Sequence, residues 1–181
     1  MTSKSPTSNL LENEANSPST ILVIFGASGD LTARKLAPAI FNLSLDGLLP
    51  SECFLIGYGR QRMSDDEFKA YLKDSLDAHS RRRIEGKAWE QLEGKISFHA
   101  GSYDDPKSFE ELKLKIEGIE KQLGLPMQCL FYVSTPPGVF KPILENLGKS
   151  GLAKRHSQKQ FESKVIIEKP FGRDLESARE L

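Results

Sequence analysis

The feature that most constrains this chain is Ile21-Leu-Val-Ile-Phe25, an unbroken apolar run that empties into Gly26-Ala-Ser-Gly-Asp-Leu31 and then into a helical pattern. A parallel strand buried on both faces reads as a continuous apolar run. Two glycines three residues apart, Gly26 and Gly29, let the backbone turn sharply and approach a ligand closely. A helix that follows such a turn aims its unpaired N–H groups and its positive dipole end at the turn, where an anion such as a diphosphate is stabilised. Ser28 adds a hydroxyl, and Asp30 has the chemistry of an N-cap. The glycine spacing is GxxGxL and not GxGxxG, so the strand before and the helix after carry the reading. The alternative is an ordinary strand-to-helix turn.

Downstream, short apolar runs alternate with longer segments of helical period, without an internal repeat. The pattern predicts strands at 21–25, 53–58, 96–99, 129–133 and 165–167, and helices at 32–45, 66–78, 107–123 and 140–147. Such alternation predicts an α/β fold with a doubly wound, mostly parallel sheet of the Rossmann type. Pro38 sits too deep for a first-turn proline, so a kink or a shortened first turn is expected there.

The 181 residues suffice for one core. The expected division is a disordered tail over 1–20, rich in Ser, Thr, Asn and Pro, and one domain over 21–181. Lys and Arg number 25 and Asp and Glu 25, so charge gives no reason to expect nucleic acid or an anionic membrane as partner. No run approaches the roughly 18 apolar residues of a bilayer span. The tail lacks the layout of a signal peptide, which makes a reducing cytoplasm the expected compartment. Cys53 and Cys129 lie in apolar runs and read as buried thiols. His79, His99 and His156 show no metal-ligand spacing and read as structural or surface residues, and no metal site is expected.

The strand ends carry the remaining candidates. After the second comes Gly57-Tyr-Gly-Arg60-Gln-Arg62, with no carboxylate before Asp65. A carboxylate there would take the ribose 2′-hydroxyl of NAD, whereas a guanidinium takes the 2′-phosphate of NADP. Arg60, with Arg62 as second candidate, therefore predicts NADP; a solvent-facing arginine is the alternative. Ser102 and Tyr103, after the third strand, are either adenine-side contacts or a plain turn. Ser134-Thr-Pro-Pro-Gly138 is a rigid turn where a nicotinamide ribose passes, or a helix entrance alone. Lys169 follows the fifth strand as a cation at the carboxyl edge, and Pro170 fixes its backbone; a surface lysine before a turn is the alternative. Tyr103 and Lys107 spell YxxxK, but Pro106 between them keeps the pair off a shared helix.

Together GASGDL, YGR, the PP turn and above all IIEKPFGRDL make the chain closely resemble the coenzyme domain of the glucose-6-phosphate dehydrogenase family. The resemblance implies NADP-dependent oxidation of glucose 6-phosphate to the lactone, in the pentose phosphate pathway, by a protein that is a homo-oligomer when full-length. Carried onto matching positions, it assigns Gly26, Ser28, Gly29, Asp30 and Leu31 to the diphosphate turn and Arg60 to the 2′-phosphate. Ser102 and Tyr103 fall on the adenosine side, and Lys169 on both cofactor and sugar phosphate. Gly59 and Phe140 depart from the usual small side chain and tyrosine. The family's catalytic histidine belongs to a string of the type RIDHYLGKE, which does not occur here, so no catalytic residue is assigned. The terminal pattern Asp174–Leu181 starts a helix that stops after two turns. The expectation is the front part of a longer protein, lacking its substrate and dimerisation domain and binding NADP without turnover. A non-catalytic NADP-sensing module is the alternative.

Overall fold

The computed structural model describes residues 18–82, 84, 86–153 and 163–169. The tail through residue 17, Arg83, His156, Pro170 and the terminal pattern Asp174–Leu181 lie outside them. Five strands form one parallel sheet: β1 (Thr20–Phe25), β2 (Cys53–Gly59), β3 (Ile96–Ala100), β4 (Gln128–Val133) and β5 (Lys164–Ile167), in the order β3-β2-β1-β4-β5. All five sequence-predicted strands are present, each within one residue of its expected ends.

Because β1 is central, its apolar run is enclosed on both faces. Ile21, Val23 and Phe25 enter one core with Phe109, Leu112 and Ile116 of α4 (Pro106–Leu123) and Phe140, Ile143 and Leu147 of α5 (Phe140–Lys149). Ile24 faces the other core, built from Ile40 and Phe41 of α1 (Ala37–Leu45), Phe68, Leu72 and Leu76 of α2 (Asp65–His79), and Trp89 and Leu92 of α3 (Gly86–Glu93). The sheet is thus covered on both sides, the doubly wound arrangement. Helix α3 has no counterpart among the sequence expectations.

Between the glycine turn and α1 the chain forms a π-helical turn, Thr32–Leu36. Pro38 accounts for it, because its ring lacks an N–H and collides with the carbonyl four residues earlier. The ladder widens by one residue, and Ala37 N–H donates to Thr32 O, five residues back. The other helices start as their sequences dictate: Ser64 and Glu67 form a capping box on α2, and Asp105 caps α4 with Pro106 in its first turn.

At the open edge of β3, the Phe98 N–H donates to Asp65 Oδ1 at 2.7 Å and the Phe98 carbonyl accepts from Lys115 Nζ at 2.7 Å. Side chains thereby occupy the backbone groups that another strand would need.

Candidate functional site

All five strands point the same way, so their carboxyl ends make one rim. The register aligns His99, Tyr58, Phe25, Val133 and Ile167 in a single row across it. The residues after that row are Gly101 and Ser102, Arg60, Gly26, Ser134, and Glu168 and Lys169. The connections from β1 lead to one side of the sheet and the return to β4 lies on the other, which makes the β1/β4 gap the topological switch point where open α/β sheets receive ligands.

Gly26 opens the turn at that gap with φ of 81°, a left-handed conformation that glycine adopts without strain. A Cβ there would stand 2.4 Å from the Ser134 carbonyl oxygen. The N–H groups of Gly26 and Ala27 donate to Tyr58 O at 2.9 and 3.2 Å, and Ser134 N–H donates to Phe25 O at 2.9 Å. Gly26 O accepts from Gly29 N–H at 2.9 Å and from the Thr32 hydroxyl at 3.2 Å. Gly29 O accepts from Ala33 N–H and from the Tyr71 hydroxyl, both at 3.1 Å. The N–H groups of Ser28, Asp30 and Leu31 have no backbone acceptor among the described residues. Carbonyls tied back and N–H groups left free are what an anion cradle requires.

Asp30 corrects one expectation. It lies inside the helical run and makes no cap bond; its carboxylate is 3.7 Å from Arg34. Gly26 O instead gathers Gly29 N–H and the Thr32 hydroxyl, and the first N–H groups of the helical run stay uncapped among the described residues.

Arg60 follows β2 exposed, its guanidinium carbon 5.7 Å from the centre of the Tyr103 ring. Asp65, the nearest downstream carboxylate, is turned to the β3 edge. Tyr103 is 8% exposed and packs against Phe25 and Tyr58, with Asn146 donating to its carbonyl at 3.0 Å. It is therefore a wall of the core that carries Arg60 on its outer side, and not an exposed platform. Burial pushes its hydroxyl up, while Arg60 and the Gly26 N–H pull it down. Ser102 is exposed and donates to Asp104 Oδ1 at 2.5 Å, and its carbonyl accepts from Tyr58 at 2.8 Å. At Gly59 a Cβ would sit 3.2 Å from the tip of Phe98, so the departure from a small side chain matches a tight spot.

On the other side of the gap, Lys169 is exposed. Glu168 beside it accepts from the Tyr132 hydroxyl, whose ionisation is pushed up to about 12 by burial first and by that carboxylate second. The hydroxyl oxygens of Ser134 and Thr135 are buried and have no hydrogen-bond partner among the described residues. Unpaired hydroxyls beside a glycine cradle suit the hydroxyl-rich and anionic surface of a dinucleotide.

Phe140 is buried in the core beneath the rim. His99 is half-buried and its Nε2 contacts Ser108 O, while Cys53 and Cys129 are buried and outside any disulfide, as their contexts predicted. Pro106 opens α4, so Tyr103 and Lys107 do not share a helix. No local pattern marks Tyr71, Thr32 or Tyr58 as partners of the turn: Tyr71 reads as one more residue of an amphipathic helix, 42 positions from Gly29.

Fold and site together define a dinucleotide-binding α/β domain. The family model described as glucose-6-phosphate dehydrogenase, NAD binding domain, matches residues 23–181, and the chain belongs to that family. A glucose-6-phosphate 1-dehydrogenase of Chlamydia pneumoniae is 40% identical over 172 residues, 94% of this chain and 34% of the relative. One from Mycobacterium tuberculosis is 37% identical over 160 residues, 88% of this chain and 31% of the relative. A solved glucose-6-phosphate dehydrogenase in complex with its substrate glucose-6-phosphate superposes with a TM-score of 0.78 at 32% identity, covering 91% of this chain and 33% of that one. The Mycobacterium avium enzyme gives 0.75 at 32% identity, covering 90% and 32%. The chain thus spans about a third of the length of these relatives. Among the described residues no helix is long and apolar enough to cross a membrane.

Proposed function

We propose that this chain is the coenzyme-binding part of an NADP-dependent glucose-6-phosphate dehydrogenase. In that reading the N–H groups of Ser28, Asp30 and Leu31 hold the diphosphate, Arg60 takes the 2′-phosphate, and Lys169 lies between cofactor and sugar phosphate. Ser102 stands on the adenosine side and Tyr103 beneath Arg60. The hydroxyls of Ser134 and Thr135 are available to the cofactor's nicotinamide half. When bound, the nicotinamide supplies the hydride acceptor for oxidation at C1 of the sugar. The chain's own residues bind and orient; no residue in this chain is assigned to proton removal.

The observation that carries the choice of NADP is the arrangement after β2: an exposed Arg60 guanidinium that lies over Tyr103 and has no ion pair among the described residues, with Asp65 committed to Phe98 N–H and 3.8 Å from Lys115. A 2′-phosphate meeting a guanidinium gains charge-assisted bonds, whereas a ribose hydroxyl finds no carboxylate acceptor there. Titrating NADP and NAD against the chain and its Arg60→Ala variant tests this. Loss of a charged hydrogen bond lowers NADP affinity about tenfold or more and leaves NAD unchanged. An unchanged ratio removes Arg60 from the role.

A further inference from the structure

The glycine turn is backed from a third element, α2, and nothing in the turn's own motif requires it. We infer that Tyr71 is a positioning residue of the diphosphate turn: its hydroxyl holds the Gly29 carbonyl on the protein side, so that the turn presents only N–H groups to the anion. The inference rests on the dinucleotide reading of this site and adds to it a residue outside the fingerprint.

Each of the turn's two glycine carbonyls carries two donors. Gly26 O is filled by Gly29 N–H and the Thr32 hydroxyl, both from within the turn and its helix. Gly29 O has one local donor, Ala33 N–H at 3.1 Å; its second lone pair is filled by Tyr71 at 3.1 Å. A carbonyl oxygen swung toward a diphosphate would meet it as one partial negative charge meets another, and flipping the Gly29–Asp30 peptide would also withdraw the Asp30 N–H. Tyr71 opposes that flip from a fixed place. Its ring stacks on Phe68 at 6.3 Å between centres, Phe68 is fully buried, and the Ser75 hydroxyl donates to the Tyr71 carbonyl at 2.7 Å. The side chain thus ties the turn to a helix anchored in the core, which reduces the ordering left to be done when the cofactor binds.

The test titrates NADP and NAD by calorimetry against the chain and its Tyr71→Phe variant, and records phosphorus NMR of bound NADP. Removing one neutral hydrogen bond weakens both dinucleotides by the same factor, about three- to tenfold. In the same variant the diphosphate signals of bound NADP move and the 2′-phosphate signal does not. Equal affinities in the two proteins, an unequal change between NADP and NAD, or a moving 2′-phosphate signal would each overturn the assignment. If the unaltered chain binds neither dinucleotide, the underlying reading falls. If Arg60→Ala leaves the NADP/NAD ratio unchanged while Tyr71→Phe behaves as stated, only the NADP preference falls.

Discussion

The two corners of the rim are built to different standards. The glycine turn sits over the buried centre of the sheet; it is tied by Thr32 from its own helix and by Tyr58 and Tyr71 from β2 and α2, and Ser134 bonds to Phe25 just before it. The Lys169 corner ends the short outer strand β5, whose Lys164, Val165 and Ile166 are exposed, and its described side-chain anchor is the bond from Tyr132 to Glu168. A site that grips one ligand from both corners therefore joins a pre-organised half to a half with fewer anchors among the described residues. Pre-organisation lowers the ordering cost of binding at the turn, while the lysine corner is left to be ordered by what it meets.

Gly26→Ala breaks the stronger corner. A left-handed alanine costs about 1–3 kcal/mol, and its Cβ would run into Ser134 O at 2.4 Å. Destabilisation by more than 2 kcal/mol or so is expected from the two together, with loss of dinucleotide binding. Denaturant unfolding and titration check both; unchanged stability would mean that the turn is not as constrained as described.

Tyr132→Phe probes the weaker corner. It removes the donor to Glu168, worth about 1 kcal/mol, and is expected to speed amide exchange in β5 while leaving that of β1 alone. Equal protection in both proteins would show that strand pairing by itself fixes Lys169.

The smallest effect concerns pH. Burial is the main cause that pushes His99 below its ordinary value of 6.5, and nearby Lys115 adds to it. With the folded value depressed, the unfolded chain takes up the proton first. Stability is then full above about 6.5 and declines as pH falls below it. His99→Gln is expected to flatten that decline in denaturant midpoints measured between pH 7 and 5. An identical slope in the variant would place the acid sensitivity elsewhere, and neither corner of the rim should respond.

The same contrast governs how much could be read in advance. The β1 run, its turn and the rhythm of strands and helices are local patterns, and they place the five strands and the rim. Helix α3 escaped because its eight residues bury only Trp89 and Leu92, too few to mark a period. The kink or shortened first turn expected at Pro38 took the form of a widened turn, in which Ala37 N–H donates to Thr32 O. Tyr71, Asp65 and the core placement of Tyr103 are products of long-range packing. The β3 edge, for example, is closed by Asp65 and Lys115 from two different helices.

In the proposed reading both corners hold one molecule of NADP. Titrating NADP while following the backbone amide signals of Ser28, Asp30, Leu31 and Lys169 tests it most directly. All four are expected to move along one binding curve with one midpoint. Movement at the turn with Lys169 silent at saturation, or separate midpoints for the two corners, would contradict it.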